Sequence, residues 1–226
     1  TQHLVGATRH FIGIELDSKL CSELDARYRS PSAQFLNQDI LTVHLPALLP
    51  TLSIERAPVK VVGNIPYYIS SFLVQWLTTQ VESLDSATIM FQKEVAERLS
   101  AEPRTKEYGL LTLLAQYYFQ VFPLFLVGRK AFWPEPKVDS QVIRFDPLSK
   151  RILTKEKEAA LFSFLKSCFS QRRKILVNCL KSSLFSAFAL EVAMRNLGFM
   201  RETRAEELSL KELCSLFLEL ECKNPN

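Results

Sequence analysis

The stretch Asn64-Ile65-Pro66-Tyr67 sets an amide, a ring-locked backbone and a phenol side by side, directly after Gly63 and the apolar run Val59–Val62. Proline fixes its own φ and drives the preceding residue towards extended backbone. The Asn64 side-chain oxygen and the Ile65 carbonyl can then point the same way. Two acceptors so placed suit an aromatic amine, whose lone pair is delocalised into its ring and is poorly nucleophilic. Hydrogen bonds to both N–H groups favour a pyramidal nitrogen. Tyr67 adds a ring on which a base can stack. The chemistry that fits is transfer of an activated group, such as the methyl of a sulfonium, to the exocyclic amine of an adenine, with positioning supplying much of the rate. The same residues also read as a plain strand-to-helix turn, Asn-x-Pro being common in turns.

Two acids stand earlier at strand ends. Glu15, followed by Leu16, closes one apolar run, and an acid at a strand's carboxyl end can accept both hydroxyls of a ribose. Asp39 closes the next, in Asn37-Gln38-Asp39-Ile40. A carboxylate there can accept from an adenine amino group while Ile40 walls the ring. Singly, each reads equally well as a surface acid, a helix cap or a turn aspartate. Their order, on successive strands, suits one nucleoside-shaped ligand in the crevice above the strands.

The elements that must hold these residues alternate. Phe11–Leu16, Gln34–Leu36, Val59–Val62, Ala87–Phe91, Phe119–Phe125 and Gln141–Phe145 read as strands, and Ser18–Tyr28, Ser70–Gln80 and Glu94–Ser100 carry helical spacing. Strands separated by helices predict a mainly parallel sheet with helices on its faces. The last strands lie closer together, which suits an antiparallel hairpin at the sheet edge. After Pro147 the pattern becomes helical: Leu161, Phe164, Leu165, Cys168 and Phe169 form one stripe, and Leu210, Leu213, Phe217 and Leu220 another. The expected organisation is an α/β domain over residues 1–148 and a small all-helical domain over 149–226.

The 47% hydrophobic and 11% aromatic content of the 226 residues excludes a disordered chain. No apolar run is long enough to span a bilayer, and residues 1–20 lack a signal-peptide pattern. Cys21, Cys168, Cys179, Cys214 and Cys222 include no C-x-x-C pair, which suits reduced thiols in the cytoplasm. With only His3, His10 and His44 as imidazoles, none paired at ligand spacing, no metal site is expected. The net charge of +4 is unevenly spread: residues 1–149 balance at −1 and residues 150–226 at +5. From Lys166 to Arg204 there are eight basic residues, Arg172, Arg173 and Lys174 among them, and two acids, Glu191 and Glu202. That local excess suits a polyanion-facing surface as well as it suits a solvated helical face.

Val62-Gly63-Asn64-Ile65-Pro66-Tyr67-Tyr68-Ile69-Ser70-Ser71 resembles motif IV of the ribosomal RNA adenine N6,N6-dimethyltransferases, the KsgA family. Met90–Leu99, Lys106–Leu111, Phe169–Lys174 and Arg204–Ser209 are also similar to family segments, and Ala131-Phe132-Trp133-Pro134-Glu135-Pro136-Lys137-Val138-Asp139-Ser140 resembles the family's F-x-P-x-P-x-V-x-S motif. These cover nearly the whole chain in the family's order. The resemblance implies a Rossmann-like, S-adenosylmethionine-dependent methyltransferase domain with a helical, basic, RNA-binding C-terminal domain. The expected reaction is dimethylation of N6 on two adjacent adenines in a small-subunit (16S) rRNA hairpin, linked to maturation of the immature small ribosomal subunit. The expected enzyme is a cytoplasmic monomer without metal or membrane attachment.

By the same resemblance, Glu15 and Leu16 hold the cofactor ribose, Asp39 and Ile40 meet its adenine, and Asn64 lies between cofactor and target. Ile65 and Pro66 complete the acceptor turn, and Tyr67 and Phe132 sandwich the flipped-out base. Phe132 in isolation reads as a core residue. Arg129, Lys130, Arg172, Arg173 and Lys174 are the expected RNA contacts.

The sequence also departs from the family pattern. No glycine-rich turn precedes Glu15, so an N-terminal strand–loop–helix unit is expected to be absent from these residues. Alone they are expected to fold poorly, bind the cofactor weakly or not at all and be inactive; in a longer natural chain that supplies the unit the enzyme reading stands intact. Calorimetry showing micromolar cofactor binding would overturn that expectation. Two other functions compete: the Erm-type methyltransferase of large-subunit rRNA, and a non-catalytic RNA-binding factor on the same fold. The Tyr68–Ser71 continuation, the Lys106–Gly109 segment and the basic helical region favour the small-subunit enzyme. Retention of Asn64, Pro66 and Tyr67 argues against pure binding.

Overall fold

The computed structural model describes residues 1–52, 54, 58–171, 174–180 and 185–223. They divide into two units, residues 1–60 with 68–85, and residues 61–67 with 86–226.

The first unit opens with a short helix α1 (Gln2–Val5), then strand β1 (Phe11–Glu15), helix α2 (Ser18–Tyr28) and strand β2 (Ala33–Asn37). This is a strand–helix–strand crossover, and β1 and β2 are parallel, in register from Phe11 opposite Ala33 to Glu15 opposite Asn37. Asp17 starts α2 by accepting the backbone N–H groups of Lys19 and Leu20 at 2.9 and 3.0 Å. Gly13 is needed at the middle of β1 because a Cβ there would come within 2.5 Å of the Phe35 ring. Helix α3 (Leu45–Thr51) has prolines at positions 46 and 50, the first tolerated where a helix's N–H groups have no partner. Helix α4 (Ser70–Thr79) buries Leu73, Val74, Trp76 and Leu77. The Trp76 indole N–H donates to the Val43 carbonyl at 2.7 Å, and the buried Gln80 side chain accepts the Leu45 N–H at 2.8 Å. Two buried polar groups are thus satisfied while pinning α3 to α4.

The second unit is built on a sheet of order β3-β4-β6-β5, from β3 (Val59–Asn64), β4 (Leu84–Gln92), β5 (Phe119–Val127) and β6 (Ser140–Pro147). Between them lie α5 (Lys93–Leu99) and α6 (Leu110–Tyr118). Both β4 and β5 run antiparallel to β6. The sheet is therefore less parallel than alternation alone suggests. No helix separates β5 from β6, only a 12-residue connection with a single 3-10 turn at Arg129–Ala131, so the two strands return as a hairpin. The core lies on β4 and β6, where Ile89, Phe91, Ile143 and Phe145 are fully buried and Phe145 meets Phe91 and Phe119 edge-on at 6.0 and 5.7 Å.

After β6 every described element is helical: α7 (Lys155–Cys168), α8 (Leu176–Leu180), α9 (Ala187–Asn196) and α10 (Leu210–Lys223). Leu161, Phe164, Leu165 and Cys168 of the first predicted stripe are buried, as are Leu213, Phe217 and Leu220 of the second, while Phe169 and Leu210 stay half-buried. The helices join the sheet layer through named bonds: the buried Tyr108 hydroxyl donates to the Leu208 carbonyl at 3.0 Å, and the Tyr118 hydroxyl to Glu158 at 2.9 Å. Burial pushes both phenols above their ordinary range, so they remain donors.

Candidate active site

The candidate acceptor residues Asn64–Tyr67 lie where β3 ends, in the second unit. Gly63 allows the chain to turn close to Ile65 and Ile89, to which a Cβ would come within 3.3 and 3.7 Å. Asn64 follows with its side chain exposed, and it makes no hydrogen bond among the described residues. Ile65 is half-buried, Pro66 exposed and Tyr67 half-buried. The Tyr67 hydroxyl is 2.8 Å from the Ser140 hydroxyl, 73 residues away and fully buried.

That bond fixes the geometry of this region. Ser140 begins β6 and stands opposite Gln92, the last residue of β4. The Asn64–Tyr67 turn, the end of β4 and the start of β6 therefore meet at one end of the sheet, which is also where the loop carrying Phe132 re-enters it. The loop is held by its own backbone. The Arg129 N–H donates to the Asp139 carboxylate at 2.9 Å, and the Ala131 and Phe132 N–H groups donate to the Gly128 and Arg129 carbonyls at 3.0 and 3.2 Å. The Lys93 N–H at the start of α5 also donates to the Asp139 carbonyl, at 3.0 Å. Phe132 is half-buried in extended backbone, with φ −116° and ψ 151°.

The two strand-end acids belong to the first unit. Glu15 is half-buried and accepts the Asp17 N–H on one carboxylate oxygen at 2.9 Å. The Asn37 amide donates to both the Glu15 and Leu16 carbonyls, at 2.9 Å each, which locks the carboxyl end of β1 to that of β2. Leu16 itself is 62% exposed. Asp39 accepts the Leu41 N–H at 2.9 Å and starts the 3-10 turn Ile40–Thr42, with Ile40 half-buried beside it. Asp39 thus caps a 3-10 turn and Glu15 closes a turn onto the Asp17 N–H, the bland local roles open to them from sequence. Each uses one carboxylate oxygen for that task and keeps the other available as an acceptor.

Of the basic residues, Arg129 and Lys130 are exposed on the 3-10 turn before Phe132, and Arg129 pairs with Glu135 at 3.0 Å. Arg129 lines an open cleft of mixed charge with Lys93, Glu94, Glu97, Lys137, Val138 and Asp139. Lys174 is exposed, and Arg172 and Arg173 lie outside the described residues. Part of the positive excess in the helical region is paired, as in Arg201 with Glu191 at 3.6 Å and Lys157 with Glu221 at 3.0 Å. Among the described residues no group of His, Cys, Asp and Glu could hold a metal ion, and no helix is long and apolar enough to cross a membrane.

Residues 1–221 match the family model of the ribosomal RNA adenine dimethylases. The chain belongs to that family. Among curated relatives, the ribosomal RNA small subunit methyltransferase A of Clostridium acetobutylicum is 35% identical over 221 residues, 97% of this chain and 79% of the relative. That of Koribacter versatilis is 36% identical over 232 residues, 97% of this chain and 80% of the relative. Among solved structures, a dimethyladenosine transferase from Plasmodium falciparum superposes with a TM-score of 0.80 at 26% identity, covering 98% of this chain and 85% of that one. The 23S rRNA methyltransferase ErmE superposes at 0.71 with 24% identity, over 97% and 85%, and shares the fold. The α/β architecture is thus the Rossmann-like methyltransferase fold of the adenine dimethylases.

Three residues beyond those singled out from sequence hold candidate residues within their own unit: Ser140 holds Tyr67 and Asp139 holds the Phe132 loop in the second unit, and Asn37 holds the Glu15 end of β1 in the first. Ser140 and Asp139 were visible as the end of the Phe132–Ser140 motif. Asn37 was visible only as a polar residue ending a strand, and its task depends on the parallel register.

Proposed function

We propose that the protein dimethylates N6 of adjacent adenines in small-subunit ribosomal RNA, acting as a cytoplasmic monomer on the immature small subunit. The observation that carries the reading is the Tyr67–Ser140 hydrogen bond, which joins the Asn64–Tyr67 turn to the Phe132 loop at one end of the sheet. Family membership supports adenine in rRNA as the target, and the names of the curated relatives favour the small subunit over the large.

Asn64 presents an exposed amide with no competing partner among the described residues, so its oxygen is available to accept from the target amine. Together with the Ile65 carbonyl, it would take both N–H groups and concentrate the nitrogen lone pair in the direction of attack. Neither acceptor is charged or basic, so the amine proton leaves to solvent after transfer. Tyr67, tethered by its hydroxyl, offers a ring that cannot swing away, and Phe132 offers a second. A base extruded from its helix is stabilised by stacking on such rings.

S-adenosylmethionine, when bound, supplies a methyl already activated by the sulfonium. The residues at the strand ends fit such a ligand: Glu15 and Asp39 each have one uncommitted carboxylate oxygen, beside the exposed Leu16 and half-buried Ile40. Glu15 would accept from the ribose hydroxyls and Asp39 from the adenine amino group. Arg129, Lys130 and Lys174 would meet phosphates, together with Arg172 and Arg173. The test is a methylation assay offering immature small-subunit particles and naked large-subunit rRNA in parallel. Dimethyladenosine in the small-subunit RNA alone is the expected outcome, and methylation confined to large-subunit RNA would overturn the assignment.

A further inference from the structure

The chain has two tryptophans, in opposite settings. Trp76 is buried, with its indole N–H bonded to Val43. Trp133 is 97% exposed, the most exposed of the large hydrophobic side chains among the described residues. An indole held in water on a loop tied down at several points is unusual enough to call for a partner.

The loop supports that partner's chemistry. Its backbone is fixed by the Arg129–Asp139 and Phe132–Arg129 hydrogen bonds, by the Arg129–Glu135 ion pair, and by Pro134 and Pro136 on either side of Glu135. A platform presented on a fixed backbone loses little conformational freedom when a ligand lands on it. Exposed Lys130 and Lys137 stand on the same loop, and neither forms an ion pair among the described residues. An aromatic face with uncommitted cations alongside is the pattern that receives unpaired nucleotides: the ring stacks on a base and the ammonium groups meet its phosphates. An acidic peptide would need the cations but not the indole.

We propose that Trp133 is a stacking platform for an unpaired base of the RNA substrate, a nucleotide flanking the methylated adenine and not the adenine itself. The distinction comes from the backbone. Phe132 is extended and half-buried, and successive side chains on extended backbone point to opposite sides. Phe132 and Trp133 therefore cannot grip the same base from one side. One faces the protein, and the other faces RNA that is still outside it. The assignment rests on the proposed RNA substrate and adds a positioning contact to it.

Comparison of the wild type with Trp133→Phe and Trp133→Ala tests this, using a hairpin RNA whose loop holds adjacent adenines as the probe. In the wild type, acrylamide should quench the exposed part of the emission and the hairpin should protect it. In Trp133→Phe, the remaining Trp76 emission should respond to neither. Retention of the hairpin on filters should weaken about tenfold in Trp133→Ala, the size of one lost base–aromatic stack, and return to near wild type in Trp133→Phe. In turnover the loss should appear in KM, with kcat within about twofold. Hairpin bound on filters with Trp133 still fully quenchable, or Trp133→Ala binding as wild type, would overturn the platform and leave the function standing. No retention of any RNA by the wild type would overturn the platform and the function reading together.

Discussion

Removing either end of the Tyr67–Ser140 hydrogen bond should have unequal costs, and the inequality follows from burial. The two hydroxyls are 2.8 Å apart, with Ser140 fully buried and Tyr67 half-buried. Ser140→Ala leaves the Tyr67 phenol with access to water, so the loss is close to the net value of one neutral hydrogen bond, about 1 kcal/mol. Tyr67→Phe leaves the Ser140 hydroxyl inside the protein, and the desolvation of that group raises the cost towards about 2 kcal/mol. The double variant removes both groups, so its loss should fall short of the sum by about 1 kcal/mol. Chemical denaturation of the four proteins measures this coupling. Methyl transfer should follow in the same sense. Ser140→Ala retains the Tyr67 ring but removes this tether, and a positioning penalty of about 1.4 kcal/mol corresponds to a tenfold fall in kcat/KM. Additive stabilities together with wild-type kcat/KM in Ser140→Ala would refute the idea that this bond holds the stacking ring in place.

Three other perturbations test the frame around the site. Gly13→Ala should cost roughly 1–3 kcal/mol, because the new Cβ meets the Phe35 ring at 2.5 Å and the ring or β1 must shift; an unchanged melting temperature would contradict this packing. At the start of α10 the Ser209 N–H and hydroxyl both donate to the Glu212 carboxylate, at 2.8 and 2.7 Å, and hold its pKa below the ordinary 4.5. A depressed folded-state pKa contributes stability that is fully present above the unfolded value and lost as pH falls through the folded value. Glu212→Gln should therefore lower the melting temperature at pH 7, with the difference from wild type shrinking below about pH 4.5 and vanishing in stronger acid. Burial pushes the Cys214 thiol up to about 11 and raises Cys168 further, whereas Cys222 is exposed. Alkylation of native protein at pH 8 should modify Cys222 first and reach Cys168 and Cys214 only on unfolding, as peptide mass spectrometry would show.

Much of the fold could be read from side-chain periodicity, since burial on one face leaves a direct trace in sequence. Helix α2 spans Ser18–Tyr28 as the spacing predicts, and the buried stripes of α7 and α10 are those of Leu161–Cys168 and Leu213–Leu220. Strand ends were less legible. β4 begins three residues early, at Leu84, because Asp85 and Ser86 interrupt its apolar run, and β5 continues past Phe125 to Val127 beyond a bulge next to Pro123. Helix α3 was hidden by Pro46 and Pro50, which read as breakers. Strand direction was partly legible: the close spacing of the last strands signalled the antiparallel β5–β6 hairpin at the sheet edge, whereas alternation of strands and helices gave no sign that β4 also runs antiparallel to β6.

The site followed the same division. Asn64, Tyr67, Phe132, Glu15 and Asp39 could be singled out because their types and neighbours suggest chemistry. The holding roles could not be read, even where the residue was visible in a motif, since Ser140 and Asn37 acquire them only through contacts 73 and more than 20 residues away along the chain. Arg129 shows the converse, a residue picked for its charge that the structure commits partly to Glu135.

The central claim is that Asn64 is the acceptor that prepares the target amine. The most direct measurement is mass spectrometry of nucleosides from small-subunit particles incubated with methyl donor and either wild type or Asn64→Ala, with filter binding of the RNA measured alongside. Wild type should yield N6,N6-dimethyladenosine, and Asn64→Ala should yield essentially none while binding the RNA as tightly as wild type. Dimethylation by Asn64→Ala at the wild-type rate would contradict the account.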